Sequence, residues 1–139
     1  MSTGVLAGKR GLIMGVANDK SIAWGIAQSA AREGAELAFS YQGEVLEKRV
    51  RPLAEQVGAE MLTCDVTDDA SIDALFNALE EKWGKLDFVV HAIGFSNKDE
   101  LKGEYLNTSR ENFALTMDIS VYSFTAVAQR AARMMNEGG

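Results

Sequence analysis

Gly15-Val-Ala-Asn-Asp-Lys-Ser21-Ile-Ala-Trp-Gly25-Ile26 follows an apolar run, Lys9 to Val16, and opens a helical one. A strand that ends in turn-forming residues and passes directly into a helix is the start of a βαβ unit. In Ser21 to Arg32, Ile22, Ile26 and Ala30 recur on one helical face, and Gly34 supplies a stop. The alternation continues outward from there. Ala35 to Tyr41 reads as a second strand, and Gly43 to Gln56 as a helix with Val50, Leu53 and Val57 at helical spacing. Pro52 lies inside that pattern and predicts a kink or a restart. Gly58 breaks the helix, and Ala59 to Cys64 gives a third strand. Thr67 or Asp68 can cap the next helix, whose core face reads Ile72, Leu75, Phe76, Leu79 and Trp83 before Gly84.

Leu86 to Ile93 is almost continuously apolar, the pattern of a parallel strand buried on both faces. Gly94 to Asn107 has no period and reads as a loop, long enough to point to function. Thr108-Ser-Arg-Glu111 reads as a capping box with Thr108 as N-cap. A helical region then runs to about Asn136, with a break near Asp118 left open. Right-handed crossovers arrange four such strands as a doubly wound parallel sheet in the order 3-2-1-4, a Rossmann-like α/β fold. Strand 4 then keeps one apolar edge free, which is an aggregation hazard. Residues 1–139 are therefore expected to be the N-terminal part of a single dinucleotide-binding domain, cut before strand 5.

Composition narrows the function. Of the 139 residues, 47% are apolar and 24% charged, with a net charge of -6. That acidity speaks against nucleic acid as a partner, but not against an anionic cofactor held by main-chain amides. Cys64 is the single cysteine, so a disulfide framework and a cysteine metal cluster are excluded within the chain, and no metal site is expected. The first residues do not open a signal peptide, and no apolar stretch is long enough to span a bilayer. The expectation is a cytoplasmic protein with no membrane partner.

Parallel sheets bind ligands at the carboxyl ends of their strands, where the strand order reverses, here between strands 1 and 4. Gly15 allows close approach of backbone, Gly25 close packing of helix on strand, and Ser21 offers a hydroxyl and an N–H at the positive end of a helix. The same residues read equally as an ordinary strand–helix turn with Ser21 as a plain N-cap. Gln42, after strand 2, can bond a ribose or an adenine edge or be a solvated loop residue; no Lys or Arg stands immediately beside it to pair a 2′-phosphate. Asp65 can accept from an adenine amino group with Val66 packed on the ring, or simply start a turn. After strand 4, Ala92 and Gly94 would let a cofactor lie against the backbone. His91, inside an apolar strand, reads as a satisfied core or subunit-contact residue, and Cys64 as a small buried hydrophobe.

The glycine turn is more specific than any spacing rule. Together with Ser40-Tyr-Gln-Gly43, Cys64-Asp-Val66, His91-Ala-Ile-Gly-Phe95 and Asp118-Ile-Ser120, in that order and at those intervals, it resembles bacterial enoyl-acyl-carrier-protein reductases, a branch of the short-chain dehydrogenase/reductase superfamily. The likeness covers essentially the whole chain. It implies reduction by NADH of the trans-2 double bond of an acyl chain carried on acyl carrier protein, in fatty-acid elongation. It implies NAD contacts at Gly15, Ser21, Ile22, Gln42, Asp65, Val66 and Ile93, with Ala92 and Gly94 adjacent. Ser96, next to Phe95, matches a position lining the acyl pocket, and the helix after Thr108 looks like one used in the subunit contacts of a homotetramer. The family's catalytic tyrosine and lysine lie after strand 5, and Tyr41, Tyr105 and Tyr122 match neither, so no catalytic residue is expected within this chain. The alternatives are another short-chain dehydrogenase such as a ketoacyl reductase, whose slot after strand 4 usually reads Asn-Ala-Gly, or a non-catalytic nucleotide-binding module.

Overall fold

The computed structural model describes residues 4–139. Four strands, β1 (Arg10–Met14), β2 (Glu36–Tyr41), β3 (Glu60–Thr63) and β4 (Phe88–His91), form a parallel sheet in the order β3-β2-β1-β4. Five helices accompany them: α1 (Ile22–Arg32), α2 (Glu44–Val57), α3 (Asp69–Trp83), α4 (Arg110–Met117) and α5 (Ser123–Ala132). This is the doubly wound arrangement expected from the sequence. β1 pairs with β2 from Arg10↔Glu36 to Met14↔Ser40 and with β4 from Gly11↔Phe88 to Met14↔His91.

Alternation along the inner strands feeds two cores. Leu12, Met14 and Ala38 face α3 and α5 and pack with Ile72, Leu75, Leu79 and Val127. Ile13, Leu37 and Phe39 face α1 and α2 and pack with Ala23, Ala27, Val50 and Leu53. Fully burying a leucine, isoleucine, valine, methionine or phenylalanine in this way contributes about 1.5–3 kcal/mol. Trp24 closes the second core with its ring edge-on to Phe39, centroids 6.4 Å apart.

The core face of α1 differs from the sequence reading. Ala23, Trp24, Ala27 and Ala30 are buried, whereas Ile22 is 82% exposed and Ile26 partly so. Small alanines allow the helix to lie close on the sheet, and the larger isoleucines turn to the free side of β4. Gly25 does not touch a strand; a Cβ added there would meet open space. Ile22, Gly25 and Ile26 instead border a groove of about 740 Å³ with Phe88 and Val90 of β4 and with Gly138 and Gly139. Along its base, the Leu86 N–H donates to the Met134 carbonyl and the Asn136 N–H to the Leu86 carbonyl, a single parallel bridge beside β4.

Two further expectations are corrected. α2 runs through Pro52 without interruption. Pro52 lies on the exposed side, where the carbonyl it leaves unbonded meets water, and Val50, Leu53 and Ala54 anchor the opposite face. The N-cap of α4 is Ser109, whose hydroxyl accepts from the Asn112 N–H at 3.1 Å; Thr108 donates instead to the Tyr105 carbonyl. Glu111 takes no part. Glu100 performs its task from the preceding loop, accepting from the Ser109 N–H and hydroxyl, both at 2.7 Å. These bonds hold the Glu100 carboxyl below its ordinary pKa. The open question near Asp118 resolves as a π turn, Asp118–Tyr122, joining α4 to α5 without a break in the helix.

Candidate functional site

The carboxyl ends of all four strands open onto one cleft of about 520 Å³, within the range of small-molecule sites. Gly15, Gln42, Asp65, Val66, Ala92, Ile93, Gly94 and Phe95 line it. It crosses three inter-strand spacings, about 14 Å, which suits an elongated ligand.

Gly15 marks where β1 and β4 part. Its φ is +114°, and a Cβ would sit 2.1 Å from the Ala92 carbonyl oxygen. The glycine is therefore required by chain against chain before any ligand is considered. The next segment is shaped by Ser21. Its hydroxyl does not cap α1; it reaches back and accepts from the Ala17 and Asn18 N–H groups at 3.0 and 3.1 Å. With two bonds accepted, the hydroxyl hydrogen remains to be donated. Among the described residues the Ile22 and Ala23 N–H groups at the start of α1 make no bond. Free amides, a spare hydroxyl donor and the positive end of a helix together favour an anionic group such as a phosphate. Ser21 and Ile22 sit beside the cleft rather than in its lining, and the Ile22 side chain belongs to the other groove.

At the opposite end, Gln42 is exposed and its amide makes no hydrogen bond among the described residues. Asp65 forms the turn that the sequence offers as one of its two readings, and it also borders the cleft. Its Oδ1 accepts from the Thr67 N–H at 2.9 Å and hydroxyl at 2.7 Å, forming the turn before α3, while the residue lines the cleft with its second oxygen spare. The N-cap of α3 is Asp68. Buried Cys64 has its thiol pushed up to about 11, chiefly by burial, which keeps it protonated and a poor nucleophile. His91 Nε2 lies 2.7 Å from the Ser123 hydroxyl, which itself donates to the Ile119 carbonyl at 2.6 Å. The histidine thus donates, and burial lowers its pKa, so it is a neutral structural residue.

Ser96 is not part of the lining. Its hydroxyl faces α4 and accepts from Asn112 and Thr116, both at 3.1 Å. Phe95, half exposed, forms the wall there with Leu115 and Ile119. The last two, and Tyr41 and Leu46, were missed from the sequence; the signal for Leu115 and Ile119 was their four-residue spacing on the helix after Thr108. No group of histidine, cysteine or carboxylate side chains that could hold a metal occurs among the described residues.

The model of the family described as enoyl-(acyl carrier protein) reductase matches residues 15–139. The chain belongs to this family. An NADH-dependent enoyl-acyl-carrier-protein reductase of Rhizobium meliloti is 68% identical over 139 residues, covering 99% of this chain and 51% of that protein. A Rickettsia bellii relative of the same description is 52% identical, over 100% of this chain and 53% of that one. The crystal structure of the Anaplasma phagocytophilum reductase in complex with NAD is 54% identical with a TM-score of 0.91, covering 96% of this chain and 52% of that one. The chain spans about half the length of the curated relatives it matches.

Proposed function

We propose that this enoyl-acyl-carrier-protein reductase chain is the N-terminal part of a single dinucleotide-binding domain that reduces the trans-2 double bond of enoyl groups on acyl carrier protein with NADH. The observation that carries the reading is the cleft at the parting of β1 and β4, bordered by the Ser21 turn and the free amides of α1. The residues fit the cofactor. Ser21 and the Ile22 amide would hold the diphosphate, Gln42 a ribose, Asp65 and Val66 the adenine, and Ala92, Ile93 and Gly94 the nicotinamide side. The cleft lining carries no Lys or Arg among the described residues, and Asp65 is acidic, which favours NADH over a cofactor with an extra phosphate.

NADH supplies the hydride for the β-carbon of the enoyl thioester when bound. This chain binds and orients the reactants and excludes water from the wall formed by Phe95, Leu115 and Ile119. Charge developing on the thioester oxygen calls for a hydroxyl donor. Tyr105 and Tyr122 are outside the cleft and Tyr41 lies at the β2 end, so the donor tyrosine and its lysine are assigned to a segment following Gly139. The free side of β4 and its 740 Å³ groove would receive that segment as a fifth strand. Phe113, Met117, Val121 and Phe124 form a half-exposed apolar row on α4, the π turn and α5, which supports burial against a second copy in a homotetramer. No helix is long and apolar enough to cross a membrane among the described residues, in keeping with a cytoplasmic site of action.

The test follows NADH oxidation by the complete protein with a crotonyl thioester, alongside its intact mass. A mass far above 15.1 kDa and enoyl-dependent oxidation are expected. Reduction of ketoacyl but not enoyl thioesters would assign another short-chain dehydrogenase, and nucleotide binding without turnover a non-catalytic module.

A further inference from the structure

Asn112, in the first turn of α4, is polar yet only 6% exposed. A buried amide is costly unless its bonds are made. Its Oδ1 accepts from the Asn97 N–H at 2.9 Å, and its Nδ2 donates to the Ser96 hydroxyl at 3.1 Å. One helical turn on, Thr116 donates to the same hydroxyl at 3.1 Å. A further turn on, the Ser120 hydroxyl accepts from the Phe95 N–H at 3.0 Å and donates to the Phe95 carbonyl at 3.2 Å. Positions 112, 116 and 120 thus form one polar stripe at helical spacing, and they engage residues 97, 96 and 95 in reverse order.

Both bonds accepted by Ser96 come from this stripe, which turns its hydroxyl away from the cleft. The wall on that side is left to Phe95, Ile93, Leu115 and Ile119, all apolar. We propose that Asn112, Thr116 and Ser120 are positioning residues for acyl specificity: they hold Ser96 out of the acyl pocket and fix Phe95, keeping that wall apolar for a hydrocarbon chain. This rests on the enoyl-reductase reading. A hydroxyl released into the wall would penalise each methylene packed on it, so longer chains suffer more than short ones.

The experiment compares Asn112→Ala, Asn112→Asp and Ser120→Ala in the complete enzyme, with crotonyl and octenoyl thioesters, NADH binding by fluorescence and amide hydrogen exchange. Asn112→Asp keeps the acceptor for Asn97 and lets Ser96 donate instead. For Asn112→Ala we expect the ratio of octenoyl to crotonyl KM to rise about tenfold with NADH Kd changed less than about twofold, and Asn112→Asp to restore most of the ratio. Exchange should quicken at the Asn97 amide in Asn112→Ala and at the Phe95 amide in Ser120→Ala. An unchanged KM ratio, or a uniform rise in both KM values and the NADH Kd, overturns the specificity role. Unchanged exchange at Asn97 overturns the ladder itself, whatever substrate the enzyme takes. Failure of the enoyl-reductase reading is separate, because it shows in the unsubstituted enzyme as an absence of enoyl-dependent NADH oxidation.

Discussion

Gly15 concentrates two constraints at one position. Its backbone is left-handed, and its Cα lies against the Ala92 carbonyl. Gly15→Ala would add the strain of a non-glycine residue at positive φ, about 1–3 kcal/mol, to a collision with backbone that cannot swing aside. The expected result is a fall in Tm of several degrees and a loss of NADH affinity of about tenfold or more, measured by thermal melting and fluorescence titration. Identity at this scale was legible where one residue type has one physical use. Glycine after a strand is such a case. The bonding of Ser21 and Asp65 was not legible. A serine at a helix start usually bonds forward to cap it, and only the fold of the Ala17-Asn18 turn brings amides within reach from behind. Adjacency to Phe95 in sequence does not put Ser96 in the cleft lining, because it says nothing of which way a side chain turns once a buried asparagine bids for it.

Elements were legible in kind and less so in facing. Ile22 and Ile26 suggest the core side of α1 by their size, whereas close helix–sheet approach selects the alanines. The capping box was misplaced by one residue because its acid came from Glu100, nine positions before the cap and outside any local motif. The union of β4 with α5 through His91 and Ser123 was invisible in sequence, being a contact across 32 residues. It carries a pH signature. Burial lowers the folded-state pKa of His91 below its ordinary value. The unfolded chain then takes up the proton first as the medium is acidified, so this contribution is intact above the ordinary histidine pKa of about 6.5 and is lost as pH falls through the lowered one. Urea midpoints measured from neutral to mildly acidic pH should decline less steeply in His91→Gln than in the unsubstituted protein. Equal slopes would remove the histidine from the account.

The whole molecule was the most legible level. Strand order follows from alternation, crossover handedness and the short connections, none of which depends on a side chain's direction. The apolar groove beside β4 was foreshadowed only as a free edge; its α1 wall needed the structure. Leu6, Ile22, Ile26, Ala30, Phe88 and Val90 line it, and it stands open to solvent. Under the proposed continuation, the 139-residue polypeptide made by itself should bind a hydrophobic dye and associate with rising concentration, whereas the longer protein should bind the dye weakly. Dye binding and sedimentation of the two would check this, and equal dye binding would mean the groove is not covered in the complete protein.

The bridge between Leu86 and Met135 has a kinetic meaning under the proposed continuation. Joining two distant strands in parallel is slow because chain entropy must be surrendered before any rung repays it. Here the helical excursion from Arg110 to Ala132 has already returned the backbone to the foot of β4, and the first rung is in place. Each later residue leaving the ribosome would add its rung to a template already nucleated, so the register of the growing edge is set before the segment that fills it exists.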